Sequence, residues 1–315
     1  MTVSTAPPPL AQAAHGARHR KTARRRLMPH LVGWGFVGPA TLVVVGLAIF
    51  PAVWALWLSF HDSDLISSGE FVGLANYREM VDDPALRDAA WHTVVYTVLY
   101  VPGSVLLGLP LAVALNQRIR GIGIYRTCIF VPYVTSAAAV GILSNFVLDP
   151  EFGIVNGGVK ALGLPGAGFL QDPGQALYTL VAVSLWWSVG LPVVVYLAAL
   201  QDVPRELREA ALVDGATPWQ AFRNVTLPQL RPATTFVVIW QMIMSLQLFD
   251  LVYTTTKGQP LDSTSVIVYY LYEQAFKQFA AGYGAAVAYA LFVFTLVVSA
   301  VMLRRSARTA AGARP

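Results

Sequence analysis

The 315-residue sequence contains a single cysteine, Cys128. That excludes an intrachain disulfide and any metal site built from several thiolates. Apolar residues flank it, so a buried, inert thiol is the expected state. Charge is scarce as well: 12% of residues are Asp, Glu, Lys or Arg, 56% are hydrophobic, and mean hydropathy is +0.55. A soluble domain carries roughly 25% charged residues, so this composition points instead to an integral membrane protein. Catalytic signatures are also missing. None of the four lysines stands in a G-x-x-x-x-G-K-[ST] context, so the chain is not expected to hydrolyse ATP itself. Neither H-E-x-x-H nor G-x-S-x-G occurs, which argues against an enzyme. His15 and His19 lie four apart but lack the further ligands that a metal needs. No internal repeat of fixed period is visible, which excludes a solenoid.

What is present is hydrophobic length. Six apolar stretches run near 31–58, 91–115, 125–148, 176–200, 233–256 and 282–303. Crossing the hydrocarbon core takes about 20 residues. Lipid offers no hydrogen-bond partners, so each stretch must be helical or buried among helices. The expected fold class is an all-α membrane protein with six transmembrane helices, kinked at Pro51, Pro102, Pro110, Pro132 and Pro192. Residues 1–29, Pro/Ala-rich and then basic, read as a disordered cytoplasmic tail; 30–304 form the membrane domain and 305–315 a second tail. The apolar run after the first tail is too long for a signal-peptide core and is expected to stay as an anchor.

Basic residues fix the expected orientation, since cytoplasmic loops carry the excess of Lys and Arg. With the N-terminus inside, 17 of the 22 fall on the inner side. Only Arg78, Arg87, Lys160, Lys257 and Lys277 fall outside. Both termini and the polar loop 201–231 are then cytoplasmic. The net charge of +5 is thereby accounted for by topology, and no nucleic-acid partner is implied.

That loop separates two strongly apolar stretches and reads as two short helices. Asp202 and Pro204 signal a start, Leu207, Ala210 and Ala211 form a narrow stripe, and Gly215 supplies a left-handed stop. Thr217 as N-cap and Pro218 at the first helical position open the second, with Trp219, Phe222 and Val225 on one side and Pro228 as its expected end.

The same residues carry a resemblance. Glu209-Ala210-Ala211, Asp214-Gly215-Ala216, Phe222 and Leu227-Pro228 with Pro232 resemble the EAA loop of permease subunits in binding-protein-dependent ABC importers. Further strings agree: Phe36 to Pro39 with Pro51 and Ser59-Phe60, the FxGLxNY string Phe71 to Tyr77, and Val131-Pro132-Tyr133 continuing to Asp149-Pro150 and Phe152 to Asn156. Together they cover nearly the whole chain beyond the tail and are most similar to the MalF-like carbohydrate branch. One departure stands at Thr256-Lys257-Gly258-Gln259-Pro260, where the family usually reads TxGGP.

The resemblance implies a type I ABC importer permease, N-in and C-in, in a bacterial cytoplasmic membrane. Its implied partners are a second homologous permease, two ATPase subunits, an extracytoplasmic solute-binding protein and membrane lipid. ATP and magnesium would be held by the partner ATPase, and no cofactor by this chain. The helix pair would couple to that ATPase, with Glu209 facing it.

A polar solute needs polar groups inside the spans. The fifth stretch offers Gln241, Ser245, Gln247 and Asp250, with Gln247 and Asp250 expected on one helical face. A charge at the bilayer centre costs about 2.5–3.5 kcal/mol on insertion scales, so Asp250 should face a cavity, a partner or the interface. The fourth offers Ser184, Trp186, Trp187 and Ser188, and the third Tyr133, Thr135 and Ser136. Rings beside hydroxyls suit a sugar. By resemblance, Tyr133, Ser184, Trp187, Ser188 and Gln247 fall at the family's pocket positions; the two tryptophans equally fit packing or interfacial anchoring. The competing readings are an ion-coupled secondary transporter using Asp250, a scaffold that moves nothing, and an importer for glycerol-phosphate or an amino acid. Inside the spans there are no basic residues to favour a phosphate ester.

Overall fold

The computed structural model describes residues 37–311 apart from 68, 118 and 119. The expected tail 1–29, the start of the first span with Phe36, and Arg118 lie outside the described residues. Contacts divide the chain into two units, Met1–Trp57 and Leu58–Pro315. The first unit is the body of helix α1 (Val37–Leu58), apolar on all sides and not buried within the chain. Ring stacking runs along it, with Trp54 and Trp57 4.8 Å apart. Pro51 leaves the helix unbroken because a π-turn precedes it. The Phe50 N–H reaches back to the Val45 carbonyl, which moves the backbone clear of the proline ring.

The second unit opens with a two-stranded hairpin, β1 (His61–Asp62) and β2 (Glu70–Phe71), followed by α2 (Ala75–Asp82). The acidic loop 61–90 thus holds a short helix of its own. Its FxGLxNY string is a staple. Asn76 Nδ2 donates to the Ser59 and His61 carbonyls at 3.0 and 3.1 Å, and Tyr77 Oη meets Ser59 Oγ at 2.8 Å.

Helix α3 (Pro84–Leu115) starts earlier than the expected 91 because Asp83 caps it, accepting from the Ala85 and Leu86 N–H groups, with Pro84 at the first position. Pro102 and Pro110 lie inside it without breaking it. The third stretch is two helices, α4 (Ile122–Val134) and α5 (Ala137–Val147), at 102°. The break follows Pro132 and is held by extended backbone at Thr135. After α6 (Ile154–Ala161), the fourth stretch is α7 (Ala176–Ser188) and α8 (Gly190–Asp202), bent by 45°. Pro192 sits in the first turn of α8, where no N–H is required.

Helix α9 (Arg205–Val213) and helix α10 (218–229) form the polar loop, and α11 (Arg231–Leu246) follows. The fifth expected span, 233–256, is not one helix. α11 stops at Leu246, and Gln247 to Phe249 turn the chain into α12 (Asp250–Thr254). α12 packs on α5 because Gly141 leaves room: a Cβ there would sit 2.0 Å from Thr254 Oγ1. Last come α13 (Ile267–Tyr272) and α14 (Ala281–Ala311). Among the described residues three helices are long and apolar enough to cross a membrane, or up to five if each bent pair is one span. The core lies where α3, α7 and α8 meet α11 and α12, around Tyr96, Leu180, Val183, Tyr196, Val237 and Leu251.

Two elements correct smaller expectations. Cys128 is exposed on α4, because an apolar side chain in such a helix need not face the chain's own core. In the departing turn, the retained Gly258 holds φ +82 and its missing Cβ clears the Tyr269 ring by only 3.0 Å. Glycine stands where the turn requires it, and Gln259 occupies a position that does not.

Asp83 also accepts hydrogen bonds from Tyr270 Oη and Tyr283 Oη, tying the start of α3 to α13 and α14. Burial pushes its carboxyl up, but these two hydroxyls and the capped N–H groups outweigh that and hold it below the usual value. A depressed carboxylate stabilises the fold fully above its ordinary value near 3.8 and loses that contribution as pH falls through its folded value. Asp83→Ala removes cap and clasp together. Thermal unfolding in detergent should show a loss of about 1–2 kcal/mol at neutral pH, and the gap to native should close below pH 3.8.

Candidate functional site

Two assemblies of polar residues stand out from the apolar bundle: the helix pair α9–α10 and a seam inside the core.

The helix pair is shaped by its caps. α9 ends in a left-handed turn at Gly215, φ +86, with Gly215 N–H donating to the Leu212 carbonyl at 3.1 Å and Ala216 N–H to that of Ala211 at 3.0 Å. These two bonds close the helix end in the Schellman pattern, which explains why Ala211, Gly215 and Ala216 occur at this spacing. Asp214 is the C-cap. Thr217 then makes a capping box, its Oγ1 accepting from the Gln220 N–H at 3.3 Å while its own N–H donates to Gln220 Oε1 at 2.8 Å. Pro228 does not end α10 as expected. A π-turn over Phe222–Thr226 sends the Leu227 N–H back to the Phe222 carbonyl, so Pro228 is carried to Gln229.

Ala221, Thr226 and Leu230 are buried and anchor the pair. By contrast α9 buries no residue. Glu209 and Ala210 are exposed, with Ala211 half-buried. Val213 is 87% and Trp219 68% exposed, and Trp219 stacks on Phe222 at 5.7 Å. An amphipathic helix that packs lightly on its own chain and buries no residue in it presents a surface open to another body.

The seam lies between α3, α7 and α11. Tyr96 and Tyr100 stack at 5.3 Å, and Tyr100 Oη donates to Ser188 Oγ at 2.8 Å. Ser184, Ser188, Gln241 and Ser245 are all buried here. Ser184 faces the Tyr96 hydroxyl and Gln241 the Tyr100 hydroxyl, but Ser184 Oγ and Gln241 Nε2 make no hydrogen bond of good geometry. A buried group left unpaired costs about 1–3 kcal/mol, so the seam is less satisfied than the apolar core around it. Beside it, Trp187 Nε1 donates to the Thr135 carbonyl at 3.1 Å, meeting the backbone group that the α4–α5 break releases. Tyr133, half-buried, sits where α8 comes closest to α4: a Cβ on Gly190 would lie 3.1 Å from Tyr133 Cβ and from the Ile129 carbonyl.

The six residues singled out for a solute path therefore fall into two settings. Ser184 and Ser188 are enclosed by the chain's own helices, while Tyr133 and Trp187 flank the helix break. Gln247 and Asp250 are exposed and stand either side of the α11–α12 break. They share no helical face, because the helix between them is interrupted. Sequence reasoning missed Tyr96 and Tyr100. Their signal was available: two tyrosines four apart in an apolar span bring hydroxyls that need partners.

An exposed helix pair joining two arms of an apolar bundle suits a membrane component that meets a separate subunit. The chain belongs to the family described as binding-protein-dependent transport system inner membrane component, whose profile matches residues 104–309. It is 35% identical to the lactose transport system permease protein of Rhizobium radiobacter over 85% of this chain and 91% of that one. It is 32% identical to the sulfoquinovosyl glycerol transport system permease protein of Agrobacterium fabrum, over 85% and 88%. Its fold matches a chain of a bacterial alginate ABC transporter, solved with an alginate-bound periplasmic protein, at TM-score 0.80 and 21% identity, covering 93% and 98%. The chain is thus a multi-pass, non-catalytic ABC permease subunit.

Gly215→Ala tests the cap. Open space surrounds the position, so the cost is conformational alone, about 1–2 kcal/mol. Hydrogen exchange should rise across 205–221 and not in α3. Trp187→Phe should lower thermal stability by about 1 kcal/mol through the orphaned Thr135 carbonyl.

Proposed function

We propose that this chain is one of two permease subunits of an ATP-driven importer for a carbohydrate, with six membrane spans and both termini in the cytoplasm. Loop 201–231 is its contact with a separate ATPase subunit. The observation that carries this reading is α9: a capped helix between two membrane arms with no residue buried in its own chain. Glu209 supplies charge on that surface, and Leu212, Val213 and Trp219 supply apolar area. The distribution of Lys and Arg supports a cytoplasmic loop. A relative whose name specifies lactose, a neutral sugar, supports a carbohydrate cargo.

In this reading ATP and magnesium act in the partner, and an extracytoplasmic binding protein brings the solute to the outer mouth. Closure of two ATPase subunits moves α9–α10, and with them α8 and α11, to which the loop is directly joined. The bundle then exchanges inward- and outward-open states because the loop's contacts differ between them. Tyr133, Trp187, Gln247 and Asp250 stand at the two helix breaks, where such an exchange would expose them to solute. Ser184 and Ser188, with Tyr100, form the seam along which α3 and α7 could shift.

Affinity purification of the tagged chain from its native membrane, with mass spectrometry, tests the assembly. A second permease and an ATPase should remain bound. Glu209→Ala should leave membrane insertion intact while reducing ATPase retention and uptake at least about tenfold, a loss of about 1.4 kcal/mol in the contact. Normal uptake by that variant would remove the coupling role.

A further inference from the structure

A second polar site lies away from the seam. A pocket of about 510 Å³ opens between the end of α5, the 169–171 turn and the segment after α12. The side chains that give it chemical character are Asn145, Phe146, Asp149, Gln171, Thr256 and Gln259. Its volume lies within the roughly 300–1,000 Å³ of small-molecule sites.

The walls are fixed before any ligand arrives. Asp149 Oδ1 accepts from the Glu151 and Phe152 N–H groups at 2.8 and 2.9 Å. Asn156 then closes the loop behind it, donating to the Pro150 and Ala167 carbonyls and accepting from the Ala167 N–H. The opposite wall is held by the close approach of Gly141 and Thr254. Asn145 Nδ2 is anchored on the Thr254 carbonyl at 3.2 Å. Such preorganisation lowers the cost of binding.

The groups left over are the ones a sugar uses. Asn145 and Gln171 are exposed, and each bonds within the chain through its amide nitrogen, leaving Asn145 Oδ1 and Gln171 Oε1 to solvent or solute. Asp149 Oδ2 has only a long 3.4 Å bond from Gln171 Nε2. Phe146 is 73% exposed at the rim, and its ring offers a flat apolar face to sugar C–H groups while the amides and carboxylate meet hydroxyls. No Lys or Arg lines the pocket. Its one charged group is Asp149, whose carboxyl the Phe152 and Glu151 N–H groups hold below the usual range. An anionic solute is repelled there and a neutral one is not.

The geometry points to this pocket as an outer-mouth subsite for a neutral, polyhydroxylated solute, one that discriminates against phosphate- or sulfonate-bearing analogues before the solute reaches the helix breaks. This rests on the importer reading and its orientation, which put 148–175 and 256–266 on the outer side.

The test uses the whole transporter in right-side-out membrane vesicles, with Cys128→Ser as background and Gln171→Cys as reporter. Asn145→Cys serves as a second reporter should the first fail to assemble. A membrane-impermeant maleimide should label the reporter from outside. Lactose or raffinose at tens of millimolar should slow labelling about threefold, the effect of two-thirds occupancy, and glycerol 3-phosphate should not. Phe146→Ala should abolish the protection. Asp149→Asn, which keeps the turn acceptor, should admit glycerol 3-phosphate. The subsite is overturned if no neutral sugar protects either reporter, or if glycerol 3-phosphate protects equally in the presence of Asp149. It is also overturned if solute-free binding protein alone accounts for the protection, or if labelling occurs only from inside. ATP-driven uptake in the same vesicles separates the two claims: uptake without protection removes the subsite alone, whereas absent uptake counts against the importer reading.

Discussion

Where a membrane helix stops, bends or meets a proline, its backbone groups lose their partners, and lipid cannot replace them. Several such places among the described residues are met by a specific device. Two prolines, Pro51 and Pro228, sit behind π-turns that redirect one N–H each. The right-angled break between α4 and α5 leaves the Thr135 carbonyl to the Trp187 indole. Asp83 receives the first N–H groups of α3 together with two tyrosines. Asn76 and Asn156 do the same for the loops. Apolar matching holds the helices together; these polar groups determine where the chain is allowed to turn.

Function follows from where the devices are absent or incomplete. The α9–α10 pair satisfies its own backbone through the Schellman turn and the capping box, so it stands as a folded unit without burying a face of α9. In the proposed coupling role it would need no ordering on docking, which spares the entropy of folding on binding. The core seam is the complementary case. Ser184 Oγ and Gln241 Nε2 lie buried without a hydrogen bond of good geometry, facing the Tyr96 and Tyr100 hydroxyls, so polar groups on α7 and α11 meet those of α3 without locking to them.

Local chemistry was legible in the sequence. Gly215, Thr217 and Pro218 stood where the caps formed, because capping depends on residues within one turn of each other. The positions of the long helices followed from hydrophobic length. Pro228 was misread as a stop because a π-turn depends on backbone geometry that no residue type announces. The fifth stretch was read as one helix although it breaks after Leu246. What seats the short helix beyond the break is distant: Gly141, far back in the chain, makes the space that α12 takes. The same holds for Asp83 with Tyr270 and Tyr283, and for Tyr100 with Ser188, pairs whose separation leaves no periodic trace. The assignment of Gln247 and Asp250 to one face failed with the helix that was to carry them.

The central claim is that this bundle is moved by ATP through a docked subunit and not by an ion gradient of its own. Reconstituting the chain with its co-purifying permease, ATPase and binding protein in liposomes tests it directly. Radiolabelled sugar should accumulate only when ATP is present on the ATPase side and the binding protein on the other. Accumulation by the chain alone, driven by a proton or sodium gradient without ATP, would contradict it.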